Sequence, residues 1–256
     1  MVTINVVMDV LVGGALTGLQ RVSGELKQYN WVYTTNVSTN SDIVLYMNDH
    51  RYYVRARELN VPHIIQRKTG VRSFKIQEPD DLSAVICGSK ASFNNSVHLR
   101  KCLIYNGVDF DYIKTISPKQ NIEWLVCESR HGIGQRTEVS IQHAIKHKKH
   151  LTILGSGEGV AEDTYKKLCK KYPHCLWVGR ISPEEALSYI KGCKAILVAN
   201  PAHGAANQII EASAMDKQII DLSPTPLEIP PKAEIDINIT AKKYSELIEN
   251  VMKFGH

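Results

Sequence analysis

The chain has 256 residues, a formal net charge of +5, 43% hydrophobic residues and 22% charged residues. This composition is ordinary for a soluble globular chain and excludes a largely disordered one, and no apolar stretch reaches the ~18 residues that a membrane-spanning helix needs. The length favours two modest domains, with a single large α/β domain as the alternative.

The first part of the chain alternates short apolar runs with amphipathic segments, a pattern typical of βαβ units on a parallel sheet. The predicted elements are, in chain order, the strand TINVVMDVLV, the glycine-rich turn GGALTG, the helix LQRVSGELKQY, the strand SDIVLYMN, the helix HRYYVRARELN, the strands VPHIIQR and LSAVICGS, and the helix KASFNNSVHL. The segment KCLIYNGVDF closes this series. A polar connector over 111–121 has a proline and no apolar period, so we predict a domain boundary near residue 115.

The same alternation restarts after the connector. The predicted elements are the strand NIEWLVCES, the loop RHGIGQR, the helix TEVSIQHAIKHK, the strand HLTILGSGEG, the helix VAEDTYKKLCKKY, the strand HCLWVGRI, the helix SPEEALSYIKGC, the strands KAILVANP and KQIIDLS, and the final helix AKKYSELIENVMKF. Ser182, Pro183 and Glu185 have the spacing of a capped helix start. The segment 224–240 carries four prolines, which excludes a regular helix there.

These patterns predict an α/β protein with two Rossmann-like, doubly wound domains that face each other across a cleft. The first domain is predicted over 1–115 and the second over 116–256. Six cysteines show no CxxC spacing and mostly lie in apolar runs, which indicates buried thiols and a reducing compartment. Because no signal-peptide pattern is present at the N-terminus, we expect a cytoplasmic protein.

Ligands of doubly wound sheets bind outside the carboxyl ends of the strands. The loops that this rule places on one rim are Gly13-Gly14, 129–136, 155–157, Gly179-Arg180 and 202–207. Glycines let backbone amides approach a ligand, and helix starts favour anions, so we predict a phosphate-bearing ligand. Arg130 and Arg136 flank one loop, where they would offset diphosphate charge; the alternative is two surface arginines.

Glu211 is the one acid in the otherwise apolar helix QIIEASAM. A carboxylate there is costly unless it accepts hydrogen bonds, and the vicinal hydroxyls of a ribose are suitable donors. A helix-face acid that points to water is equally compatible with the spacing.

These segments together resemble the family-4 glycosyltransferases, retaining enzymes of the two-domain GT-B fold. WLVCESRHGIGQRTEVSIQHA supplies Arg130 at the family's arginine and puts Arg136 at its loop lysine, and LTILGSGEG supplies its glycine turn. CLWVGRISPEEALSYIKGCKAILVAN is similar to the strand, glycine and capped helix that follow. In the first half, YNGVD (105–109) and GGALTGLQRVSGEL match the end of the family's first domain and its acceptor-side loop, so the resemblance covers nearly the whole chain.

The resemblance implies roles for individual residues, and two positions depart from the family pattern. Glu211 matches the second of two signature glutamates and would hold the ribose, whereas His203 stands at the first; Lys68 stands where relatives place a histidine near the reacting centre. The residues implied at the reacting centre are Lys68, Arg130, Arg136 and His203. Those implied around the donor are Gly13, Gly14, Gly155, Gly157, Arg180, Gly204, Ala205, Ala206, Asn207 and Glu211.

The implied activity is the transfer of a hexose-like sugar, with retention, from a UDP- or GDP-linked sugar to a hydroxyl group. The acceptor would be a glycan, a lipid, a protein or a modified nucleic-acid base. No cofactor is expected, and because the histidines are scattered, we predict metal-independent activity.

Other function classes stay open at this point. Since His203 replaces a glutamate, a noncatalytic GT-B relative that binds a nucleotide or sugar is the main alternative, and a sugar-nucleotide epimerase is the second. The basic clusters KHKKH (146–150) and KKLCKKYPH (166–174) favour solvated helix faces, with contact to a membrane surface or a partner protein as the alternative. Nucleic-acid binding without transfer is disfavoured because these clusters lack interleaved aromatic residues.

Overall fold

The computed structural model describes residues 1–9, 14–47, 49–68, 78–131, 136–157, 160–200 and 206–254, with the backbone alone at 14, 15, 129, 130, 160 and 161. The strands are β1 (Thr3–Val7), β2 (Asn30–Thr34), β3 (Ile43–Met47), β4 (His63–Lys68), β5 (Ala84–Cys87), β6 (Lys101–Leu103), β7 (Trp124–His131), β8 (Leu151–Gly157), β9 (Cys175–Gly179), β10 (Ala195–Val198) and β11 (Gln218–Asp221). The helices are α1 (Gly14–Glu25), α2 (His50–Glu58), α3 (Lys90–Asn95), α4 (Phe110–Thr115), α5 (Thr137–Lys146), α6 (Val160–Lys171), α7 (Pro183–Gly192), α8 (Asn207–Ala214) and α9 (Ile237–Phe254).

The chain divides into two compact units. Unit 1 comprises Met1–Asp109 and Ala233–His256, and unit 2 comprises Phe110–Lys232. Each unit has its own parallel sheet, so the predicted α/β class with two parallel sheets is confirmed. The units are described separately below.

Unit 1 has a six-stranded sheet with the order β2-β1-β3-β4-β5-β6, and every neighbouring pair is parallel. Its central strands are buried on both faces, which explains why β3 and β5 are continuous apolar runs rather than alternating ones. One face packs on α1 and α9 through residues such as Leu19 and Tyr244. The other face packs on α2, whose Ala56 is fully buried.

Unit 2 has a five-stranded parallel sheet with the order β11-β10-β7-β8-β9. Helices α7 and α8 cover one face, and α5 and α6 cover the other. The Ser182 hydroxyl accepts a hydrogen bond from the Glu185 amide at 3.1 Å, and Pro183 is the first residue of α7. The predicted start of this helix is therefore confirmed.

The last segment of the chain differs from the predicted domain limits. The predicted second domain covered 116–256. In the structure, unit 2 begins at Phe110, and the residues from Ala233 onward belong to unit 1. Helix α9 buries Tyr244, Ile248 and Val251 in the core that also contains α1. The polar connector over 111–121 also differs from expectation, since its first residues continue the helix α4.

One edge strand was not predicted. Strand β2 pairs only with β1, and its residues are half-buried or exposed, so NWVYT shows neither a long apolar run nor a clean alternation. Among the described residues, no helix has the length and the apolar character needed to span a membrane.

Candidate functional site

The carboxyl edge of the unit 2 sheet brings several of the predicted residues together. Because its strands are parallel, the ends of β7, β8 and β10 meet at one edge, and α8 begins shortly after β10. Ala206 occupies the N-cap position of α8, and among the described residues no side chain caps this helix. An uncapped helix start at such an edge is suited to an anionic group.

Glu211 lies in the middle of α8 and is only 8% exposed. The alternative of a helix-face acid that points to water is therefore not what the structure shows. Burial, followed by the charges of Glu211 and Glu128, raises the pKa of the Cys127 thiol, so both carboxylates lie near the end of β7. Buried carboxylates are retained where they accept hydrogen bonds.

A second buried carboxylate, Glu128, belongs to the same edge. Gln208 donates from Nε2 to Glu128 Oε1 at 2.9 Å, which ties the end of β7 to the first turn of α8. Glu128 is also 8% exposed. The sequence analysis did not select it, although Glu128 interrupts an apolar strand in the same way that Glu211 interrupts an apolar helix.

His131 ends β7 and is completely buried. Its Nε2 lies 2.7 Å from the Leu154 carbonyl oxygen and its Nδ1 lies 2.8 Å from the Thr137 hydroxyl. Since a carbonyl only accepts, Nε2 carries the proton and Nδ1 accepts from Thr137. The ring also packs against Trp177, with centroids 5.1 Å apart. His131 therefore joins β7, β8 and the start of α5 as a neutral group.

The neutral state of His131 makes stability depend on pH. Burial lowers the pKa of His131 below its usual value, so on acidification the unfolded chain takes up this proton before the folded chain does. The contribution of neutral His131 to the free energy of unfolding is fully present above a pH of about 6.5, the usual pKa of histidine. This contribution is lost as the pH falls below that value. We expect the melting temperature to fall between pH 7 and pH 5, and to fall less in His131→Gln. Thermal melts of both proteins, with the exposed His150→Gln as control, measure this; equal slopes in all three would contradict it.

The two glycines at the end of β8 have different functions. Gly155 has a φ of +123°, and a Cβ there would lie 1.7 Å from the Glu128 carbonyl oxygen, so only glycine fits beside β7. The Gly157 amide donates to Glu162 Oε2 at 3.0 Å, and Glu162 is paired with Lys166. The Gly157 amide, which was predicted to face the donor, is therefore occupied by a carboxylate of the chain itself.

The three arginines predicted near the donor each follow or end a strand of unit 2, but the structure describes them in different detail. Arg136 has a left-handed backbone with a φ of 54° and occupies the N-cap position of α5. Arg180 is exposed directly after Gly179, at the end of β9. Arg130 pairs along the backbone with Ser156, and its side chain lies outside the described part of the structure.

The other predicted site residues fall into two groups, those outside the described residues and those at helix starts. Gly13, His203, Gly204 and Ala205 lie outside the described residues. Gly14 begins α1 and belongs to unit 1, while Asn207 is the first residue of α8 in unit 2. Within the described ranges, no three His, Cys, Asp or Glu side chains are grouped as metal ligands.

Lys68 has a different role from the predicted one. It ends β4 with 1% exposure, and its ammonium forms an ion pair with the buried Glu78 carboxylate. Glu78 Oε2 also accepts hydrogen bonds from the amides of Val97 and His98, at 2.9 and 3.0 Å. A lysine held in this way presents its charge to Glu78 and not to a ligand, which disagrees with its predicted place at the reacting centre.

Solved structures similar to this chain include glycosyltransferases of the GT-B class. HepE from Anabaena, crystallised with UDP and glucose, is 13% identical over 98% of this chain and 100% of that chain, with a TM-score of 0.73. Sucrose-phosphate synthase from Thermosynechococcus elongatus is 12% identical over 100% and 90%, with a TM-score of 0.67. AviGT4, a glycosyltransferase of avilamycin A biosynthesis, is 9% identical over 99% and 98%, with a TM-score of 0.66. No protein-family model and no curated protein matches the sequence.

Proposed function

We propose that the protein is a glycosyltransferase that moves a sugar from a nucleotide-diphosphate sugar to an acceptor hydroxyl, with retention and without a metal ion. The observation that carries the proposal is the burial of Glu211 in α8, a helix that starts at the carboxyl edge of the second sheet and has no side-chain cap among the described residues. Structural neighbours support the donor class, since HepE has been solved with UDP and glucose and with UDP-glucose. UDP is therefore the first nucleotide to test.

The donor would be held by complementary groups on α8 and the strand ends. The Glu211 carboxylate would accept hydrogen bonds from the ribose hydroxyls, and the first turn of α8 would face the diphosphate. Arg130 and Arg136, at the two ends of the loop after β7, would offset the phosphate charge. Gly155 allows β8 to lie close to β7, so that these groups converge.

The proposed reaction needs positioning and charge stabilisation rather than a protein nucleophile. The bond between the sugar carbon and the diphosphate oxygen breaks, and its electron pair stays on the diphosphate. The acceptor oxygen forms the new bond on the same face, and its proton passes to the departing phosphate oxygen. Cationic groups and amides that stabilise the leaving charge lower the barrier to this step.

A noncatalytic nucleotide-binding protein is the second candidate. Two observations favour it: His203 stands in place of the family's first glutamate, and the Gly157 amide is occupied by Glu162. In this case the buried edge with Glu211 would bind a nucleotide without completing the site for the transferred sugar.

Calorimetric titration with UDP, GDP, ADP and their sugar derivatives, with and without EDTA, tests the proposal. We expect one nucleotide to bind selectively, EDTA to leave the affinity unchanged, and the matching sugar nucleotide to be hydrolysed slowly in the absence of acceptor. Binding without hydrolysis would favour the noncatalytic protein. If none of these nucleotides binds, the assigned donor site is wrong.

A further inference from the structure

Arg67 is a buried arginine at the carboxyl edge of the unit 1 sheet. It is the penultimate residue of β4 and is only 2% exposed. Its guanidinium carbon lies 5.6 Å from the centre of the Tyr244 ring on α9, and its Nη2 donates to Asn106 Oδ1. The side chain therefore lies between the sheet, α9 and the segment after β6.

The guanidinium is incompletely paired. Its Nε and Nη1 have no hydrogen-bond partner in the described part of the chain, and the hydroxyl of the neighbouring Tyr244 has none either. Burial lowers the pKa of Arg67 to about 10, and the neighbouring thiols of Cys102 and Cys87 offset only part of this effect. A buried cation without a carboxylate partner is costly, so a group of opposite charge that reached it would stabilise it.

Arg67 combines core neighbours, among them Tyr244, with polar groups of the Asn106-Gly107 segment. A Cβ at Gly18 of α1 would lie 2.6 Å from Asn106 Oδ1, so glycine there leaves room for the amide that holds Arg67. Arg21, one turn further along α1, donates from Nη1 to the Gly107 carbonyl oxygen at 3.4 Å. Two arginines thus converge on the Asn106-Gly107 segment from β4 and α1.

We propose that Arg67 is the centre of an oxyanion site in unit 1, which binds a carboxylate or phosphate group carried by the acceptor. Charge-assisted hydrogen bonds from guanidinium nitrogens are strong, and both anions accept them readily. The assignment of the anion to the acceptor rests on the proposed function. The anion site itself rests only on Arg67 and its neighbours.

Thermal melts of the full chain test the site. Inorganic phosphate and glucuronate are titrated in the presence of saturating UDP, which keeps the donor site of unit 2 occupied, and NaCl at equal ionic strength is the control. We expect phosphate or glucuronate to raise the melting temperature of the wild type by a few degrees. The anion that does so shows whether the site prefers a phosphate or a carboxylate.

In Arg67→Met the response to anions should disappear and the response to UDP should remain. The anion-free melting temperature should rise, because an unpaired buried charge is gone. Arg55→Met, which changes an exposed arginine on α2, should behave as the wild type.

Different results separate this site from the donor site. An anion response that survives in Arg67→Met, or no response in the wild type, would overturn the proposal. An Arg67-dependent anion response in a protein that does not bind UDP would support the anion site and overturn only the donor assignment. If Arg67→Met does not fold, the ¹H–¹⁵N signal of the Arg67 Nε in the wild type decides: a shift that saturates with phosphate supports the site, and an unchanged signal overturns it.

Discussion

Replacement of Lys68 by methionine is expected to destabilise the protein by about 3–5 kcal/mol, because it leaves the buried Glu78 carboxylate without its cation. Although burial alone would raise the pKa of Glu78, the Lys68 ammonium and the hydrogen bond from the Val97 amide hold this pKa below its usual value. Loss of the lysine removes part of this effect, so the pKa of Glu78 should rise in the variant. The stability deficit should accordingly shrink as the pH falls from 7 to 5 and Glu78 takes up a proton.

Urea denaturation of three variants distinguishes a structural from a catalytic lysine. The double variant Lys68→Met/Glu78→Gln should regain most of the lost stability, because a neutral amide tolerates burial better than an unpaired carboxylate. Lys114→Met breaks the exposed pair with Asp111 and should leave unfolding essentially unchanged. A Lys68→Met protein with wild-type stability but lowered sugar transfer would contradict the structural role and restore the catalytic one.

The ion pair between Lys68 and Glu78 could not be predicted from the sequence. Lys68 and Glu78 are ten positions apart and meet only after residue 78 has returned beside the end of β4. Periodicity describes single elements and gives no information on such a pairing. The sequence placed Lys68 at the end of a strand, but the direction and the partner of its side chain depend on tertiary packing.

The same limit explains the position of α9. Its apolar stripe of Tyr244, Ile248 and Val251 was visible in the sequence, but such a stripe is complementary to any sheet face. The sequence pattern therefore predicts the helix but does not indicate which of the two sheets it covers. In contrast, the start of α7 was predicted because Ser182 and Pro183 act through bonds within one turn.

For the candidate site, the rule that ligands bind at the carboxyl ends of parallel strands directed the prediction to one edge of the second sheet. It also selected Glu211, whose burial the structure now shows. The rule could not predict whether the backbone amides at this edge are free to bind a ligand. The Gly157 amide donates to Glu162, five positions later, because α6 begins shortly after β8. A glycine pattern identifies where the backbone can approach a ligand, not whether another side chain is already there.

Replacement of Glu211 by glutamine is expected to weaken nucleotide binding by about 10- to 100-fold. Hydrogen bonds to a charged acceptor contribute about 1.5–3 kcal/mol, and each 1.4 kcal/mol corresponds to a factor of ten in affinity. The folded state should not suffer, because the substitution keeps the shape of the side chain and removes one of two neighbouring negative charges. Calorimetry gives the affinity and thermal melts give the stability, with the exposed Glu184→Gln on α7 as control.

The nucleotide itself supplies the decisive comparison. If Glu211 accepts hydrogen bonds from the ribose, the wild type should bind UDP more tightly than 2′,3′-dideoxy-UDP, and Glu211→Gln should show little preference between them. The difference between the two ligands isolates the contact with the hydroxyl groups from any general effect of the substitution on the fold. Equal loss of affinity for both ligands would place Glu211 away from the ribose and give it a role in holding α8 against β7. A preference for UDP that persists unchanged in the variant would mean that other groups recognise the ribose.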